Sequence, residues 1–384
     1  MSSCANQFFD WQLLAAADRW LCRSHPRAHT KTIHMKTNRT IIILALSSLL
    51  TFNLQFVTAF AQGNLTPPGA PTPTMKTLDQ IEARSPISSA PLTITNTGSY
   101  YLTTNLTVGS GTAITIATNG VTLDLNGFTI ASTAASATGY GILLNSGLKD
   151  IAIMNGHVRG GVTNNGSAVY SGSGFSFGIS GATPVNVLVK NVSVSGCLTY
   201  GICLGSDSGY PVVVESCTVR TVGSYGIQAS TIKSSVATDC GYNAVYGDQV
   251  SDCRGESTGN NSGYGIYAYT AQNCYGYCAG SGSGVNATTA QNCYGRCAGS
   301  GNGITASTAQ NCYGYCLGSG YGIQAIYVAS GCFGFSNTGT GLYAYNAAFC
   351  TGTRINGTAI QATIASGCIA INGTNIITYK YNMP

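Results

Sequence analysis

From residue 264 onward the chain repeats itself with a period of nineteen, and that period restricts its possible folds more than any other feature. Thr270-Ala271-Gln272-Asn273-Cys274-Tyr275-Gly276-Tyr277-Cys278 returns at residues 289–297, with Arg296 in place of the second tyrosine, and again at 308–316. The step from Cys274 to Cys293 and from Cys293 to Cys312 is 19 residues; it becomes 20, 18 and 18 through Cys332, Cys350 and Cys368. A fixed period near twenty residues marks a solenoid. The leucine ladder of leucine-rich repeats is missing. Each unit instead holds short alternating runs such as Gly265-Ile266-Tyr267-Ala268-Tyr269 between Gly, Asn and Ser, the two-residue period of strands.

Nineteen residues are too few for three strands and a helix, so each coil is strands and turns alone. Strands that follow one another around a coil and stack in register are parallel, and such crossovers are right-handed in nearly every case. The expectation is an all-β, single-stranded right-handed parallel β-helix over residues 98–384, of about a dozen coils spaced at about 4.8 Å. Its open ends need covers. Residues 75–97, with Leu78, Ile81 and Ile87, are expected to cap the first, and residues 376–381 to close the other.

The earlier coils follow the same grammar more loosely, in Gly98-Ser99-Tyr100-Tyr101-Leu102, in the run from Val121 to Ile130, and in Asn155-Gly156-His157-Val158-Arg159-Gly160. In these motifs the chain resembles bacterial right-handed β-helix repeat proteins of the pectin-lyase-like group, over roughly residues 76–375. That resemblance implies the fold. It leaves activity open, because the fold hosts lyases, hydrolases, adhesins and proteins without catalysis.

The N-terminus reads as an export signal behind a doubtful start. Met35-Lys36-Thr37-Asn38-Arg39 is a short basic region, the run from Ile41 to Phe60 is largely apolar, and Ala59-Phe60-Ala61 is a small-x-small cleavage site. Residues 35–61 are expected to be a signal peptide cleaved after Ala61, leaving no membrane span. Residues 62–74 are expected to be a Pro/Thr-rich spacer, and residues 1–34 an over-extended start. Six of the 17 basic and two of the 12 acidic residues precede residue 62, so the remainder holds 11 and 10, a net of +1. No basic stripe is left for nucleic acid.

Alternation puts Cys274, Gly276 and Cys278 on one side of their strand and both tyrosines on the other. Cysteines four apart on an extended strand are about 13 Å apart, beyond a disulfide or a shared zinc ion, so no metal is expected. Between coils the Cα spacing permits disulfides, but the columns 253, 274, 293, 312, 332, 350, 368 and 278, 297, 316 both have odd membership. Free thiols packed as small apolar groups are the expectation, with partial pairing the alternative. Asn273, Asn292 and Asn311 recur at one turn and read, with Cys274, Cys293 and Cys312, as structural ladders; Asp252 precedes them in the same column.

Outward columns give two candidate sites. Tyr275, Tyr277, Tyr294, Tyr313 and Tyr315 form an aromatic strip suited to sugar rings, or to stabilising neighbouring strands. Asp239, Asp248, Asp252, Arg254 and Glu256 are the one local concentration of charge, and polysaccharide lyases of this fold use carboxylates with Arg and Ca²⁺. His157 is the single histidine after residue 61 and lies in no recognised catalytic motif. The favoured function is a secreted or surface-attached, non-catalytic β-helix that binds extracellular polysaccharide or another surface component, needing no cofactor. The alternative is a lyase or glycoside hydrolase using the 239–256 region, where Ca²⁺ would enter.

Overall fold

The computed structural model describes residues 83–205, 211–259, 262–355 and 357–383. The proposed leader, signal peptide, spacer and the first part of the cap, residues 75–82, lie outside the described residues. Those described form strands and turns with no helix, and so none that crosses a membrane.

The chain is a parallel β-solenoid. Each coil has three faces, seen most plainly at Ile266–Gln272 and Tyr275–Cys278. Residues 266–268 pair on face one, 270–272 on face two and 275–278 on face three, each with the same stretch one coil away. The face-two ladder runs from Ser85–Ile87 to Thr374–Tyr381 in fifteen rungs. That exceeds the expected dozen because both ends are themselves rungs: Ser85–Ile87 pairs with Gly98–Leu102, and Thr374–Tyr381 with Thr358–Ser366. Among the described strands one pairing is antiparallel, a hairpin of Gly161–Asn164 and Tyr170–Ser173 standing out from the coil.

From Asn155 onward the corner between faces two and three is made by one left-handed residue per coil. Asn155, Asn191, Ser216, Ser234, Asp252, Asn273, Asn292, Asn311, Gly331, Phe349 and Gly367 all have φ between 47° and 61° there. Asn, Asp and Gly tolerate this conformation best. Asn273 Nδ2 donates to Asp252 Oδ1 at 3.0 Å and Asn292 Nδ2 to Asn273 Oδ1 at 3.2 Å, so the amides also bond along the rod. Phe349 is the misfit: it is bulky, 73% exposed and held at φ 51°. Phe349→Asn is expected to raise stability by about 1 kcal/mol, read as a higher midpoint in thermal unfolding.

The core thins along the rod. Early coils bury Leu102, Leu123, Ile153, Phe175 and Val189. In the nineteen-residue coils the inward set is one branched residue with Ala and Cys, for example Ile304, Ala306, Ala309, Cys312 and Cys316. Glycine completes it because face three lies directly on the start of face one. A Cβ on Gly276 would fall 1.9 Å from the Gly284 carbonyl oxygen. All fourteen described cysteines are unpaired and all but Cys203 are buried. In the longer column each thiol from Cys253 to Cys368 donates to the carbonyl two residues earlier, as Cys293 does to Gln291 at 3.2 Å. Cys278, Cys297 and Cys316 donate instead to the carbonyls of Gly263, Gly282 and Gly301, so these weak donors are satisfied by backbone.

Candidate functional site

Face three carries the tyrosine column. Tyr275 stacks on Tyr294 with ring centroids 5.4 Å apart and planes at 8°, Tyr294 on Tyr313 at 4.9 Å and 5°, and Tyr313 on Phe333 at 4.7 Å and 13°. In the neighbouring column Tyr315 stacks on Phe335 at 4.5 Å, and the Arg296 guanidinium lies 5.7 Å from the Tyr277 ring. The ring faces within this ladder are spent on one another, so a ligand meets edges and hydroxyls. That geometry holds successive coils together.

The charged residues of the 239–256 region are divided between a paired Arg254 and Glu256, two different corners of the coil and the hairpin. Arg254 lies 5.0 Å over the ring of Tyr275 and donates through Nε to Glu256 Oε1 at 2.8 Å, so this pair closes the end of the tyrosine ladder on face three. Asp252 sits in the left-handed corner and accepts from Asn273. Asp239 is a clasp for the hairpin. It accepts from Asn164 Nδ2 at 2.7 Å, the Tyr170 hydroxyl at 2.9 Å, Thr221 Oγ1 at 2.8 Å and Thr258 Oγ1 at 3.2 Å. Burial alone would raise its pKa, but these four donors overcome that and hold the carboxyl below its ordinary value. Burial pushes the Tyr170 hydroxyl well up, so it stays protonated as a donor. Asp248 stands elsewhere, at the corner between faces one and two. The five residues do not converge on one place. Among the described residues no three His, Cys, Asp or Glu side chains are grouped to hold a metal ion.

A different constellation does converge. A shallow groove of about 500 Å³ runs across face two, lined by Thr231, Lys233, Gln249, Ser251, Thr270 and Gln272. A second hollow of about 390 Å³ adjoins it, lined by Asp248, Gln249, Tyr269 and Thr270. Strand register explains the grouping. Thr231 pairs with Gln249 and Gln249 with Thr270, while Lys233, Ser251 and Gln272 form the next outward column. Asp248 and Tyr269 occupy the same corner position one coil apart, between Gly247↔Ala268 and Gln249↔Thr270. Tyr269 is 66% exposed and stacks on no other ring among the described residues, so its aromatic face stands beside the Gln249 amide, the Thr270 hydroxyl and the Asp248 carboxylate, with the Lys233 ammonium farther along the groove.

Tyr269 was not among the residues singled out from sequence, although a signal for it exists. Inward residues in this strand are Ile266, Ala268 and Ala271, so the spacing lengthens from two to three at the corner and leaves residue 269 outside it. A second aromatic run also escaped that reading: Tyr140, Phe177, Tyr200, Tyr225, Tyr246 and Tyr267 follow one another with centroids 4.6–5.9 Å apart.

No family model matches the chain, and no curated protein matches it. Two solved tailspike structures are similar. The Dettilon tailspike protein gp208 has a TM-score of 0.34 at 13% identity, covering 78% of this chain and 60% of that one. The tailspike protein gp49 from Acinetobacter baumannii bacteriophage Fri1, a capsular polysaccharide depolymerase, has a TM-score of 0.35 at 13% identity, covering 75% of this chain and 57% of that one. The chain thus spans less than two thirds of the length of either.

Proposed function

We propose that the chain is an exported, non-catalytic β-solenoid that holds an extracellular glycan in the groove beside Tyr269 and serves as a surface scaffold or adhesin. The observation that carries this reading is the exposed face of Tyr269 one coil from Asp248, next to Gln249 and Thr270, where the hollow joins the groove lined by Lys233. A pyranose presents an apolar face that packs on an aromatic ring, and hydroxyls that need both donors and acceptors around its edge. The groove supplies both. Export rests on residues 35–61, whose order of basic, apolar and small residues is that of a signal peptide.

The non-catalytic half of the reading is supported by the occupations of the acidic residues. Asp239 clasps the hairpin, Asp252 accepts from the Asn273 amide one coil on and Glu256 holds Arg254 over a ring. Glycoside hydrolysis needs two carboxyls facing one bond, and Asp248 has no second carboxylate beside it in the groove lining.

A glycan array probed with the mature protein tests this. Tyr269→Ala is expected to weaken the bound glycan by at least about ten-fold and to leave the unfolding midpoint unchanged, because the ring is exposed. Tyr294→Ala is expected to do the reverse, lowering stability by about 1 kcal/mol per lost ring pair and sparing binding. An array with no bound glycan, or one on which Tyr269→Ala binds like the parent, defeats the proposal.

A further inference from the structure

Face three also carries a basic hollow at its early end, remote in sequence from the groove and outside the function just proposed. About 310 Å³ is enclosed by Thr129, His157, Arg159, Ser193 and Ser195 over the buried Val158. Register builds it from two outward columns. One runs Thr129, His157, Ser193, Thr218, and the other Ala131, Arg159, Ser195, Arg220. Arg159 and Arg220 therefore stand one coil before and one coil after Ser195, about 10 Å apart by rung spacing. The short Ser195 lies between these two long side chains, with Ser193 beside it in the first column, next to His157.

No carboxylate occupies either column over these coils. The first acid in the second column is Glu256, two coils beyond Arg220, and it is bound to Arg254. Both arginines are exposed. The hollow's own lining holds Arg159, and Arg220 follows on the next rung of the same column; two arginines flanking a serine hydroxyl match a compact group with three or more acceptor oxygens and negative charge. A flat carboxylate would fill one guanidinium fork and leave the serine hydroxyl unmet.

We propose that this hollow is a binding site for a tetrahedral oxyanion, a phosphate or sulfate group carried on a surface polymer or a lipid headgroup. Arg159 and Arg220 grip it from either side, and Ser193 and Ser195 donate from below. The site stands whether or not the Tyr269 groove binds sugar.

The test is calorimetric titration of the mature protein with inorganic phosphate, inorganic sulfate and acetate at low ionic strength. Phosphate and sulfate are expected to bind with Kd of about 1 mM and acetate at least about ten-fold more weakly. Arg159→Ala and Arg220→Ala should each weaken phosphate by about ten-fold, the loss of one charge-assisted contact, with Ser195→Ala smaller and Tyr269→Ala without effect. Since all of these side chains but Ser195 are exposed, the unfolding midpoint of each arginine variant should match the parent and separates lost binding from lost folding. Dextran sulfate and phosphatidylglycerol vesicles then show which carrier presents the group; retention of either, lost in Arg159→Ala, supports the site. No saturable phosphate binding in the millimolar range, acetate binding as tight as phosphate, or phosphate binding indifferent to both arginine substitutions overturns it.

Discussion

Gly295→Ala is expected to destabilise the protein by on the order of 3–4 kcal/mol. The added Cβ would fall 2.1 Å from the Gly303 carbonyl oxygen and 2.5 Å from Ile304 Cγ1, so backbone as well as side chain must move. The same contact recurs on the next coils, where a Cβ on Gly314 would meet the Gly322 carbonyl oxygen at 2.1 Å, so displacement at one coil is opposed by its neighbours. Gly127→Ala is the control. Gly127 has φ 78° with open space around it, so alanine there meets conformational strain alone, about 1–2 kcal/mol. Urea unfolding of the two variants, compared at equal slope, checks the difference.

Asp239→Asn is expected to lose about 2 kcal/mol at neutral pH, with solvent screening at this half-buried carboxyl limiting the four charge-assisted bonds to that size. The bonds hold the folded-state pKa below its unfolded value, so their stabilisation is present above the unfolded pKa of about 3.9 and is lost as pH falls through the lowered folded value. The parent should therefore lose stability on acidification below about pH 4, while Asp239→Asn has a flatter acid limb, and the two curves converge once Asp239 is protonated. Hydrogen exchange should place the change in the hairpin, since Asn164 and Tyr170 are the residues released. Equal exchange in residues 161–173 of both proteins would refute the clasp.

The repeat made the coil readable because identical residues recur at identical structural positions. Asn273-Cys274, Asn292-Cys293 and Asn311-Cys312 mark a corner that needs a left-handed residue and then an inward one. Even the lengthening of the period to 20 between Cys312 and Cys332 has a structural counterpart. Ile323, Ala325 and Ala329 are inward there, the register shifts between Ala306 and Thr308, and the extra residue leaves Ile326 and Tyr327 exposed. The sites were harder to read because their parts are distant in sequence. Asp239 meets partners 69 and 75 residues away in a hairpin with no repeat signature. The tyrosine column was visible as a column, but whether its rings face outward or each other depends on side-chain rotation, which spacing does not determine. Asp248 and Asp252 are four apart, and a corner on each side of face two turns them onto different edges.

The most direct measurement is a polysaccharide panel incubated with mature protein, with and without Ca²⁺, scored for bound polymer, for ultraviolet absorbance of unsaturated products and for new reducing ends. A non-catalytic groove predicts retention of one polymer, weakened by Tyr269→Ala, with neither product signal rising. Unsaturated or reducing-end product from any polymer, abolished by Asp248→Asn, would contradict it and make the groove an active site.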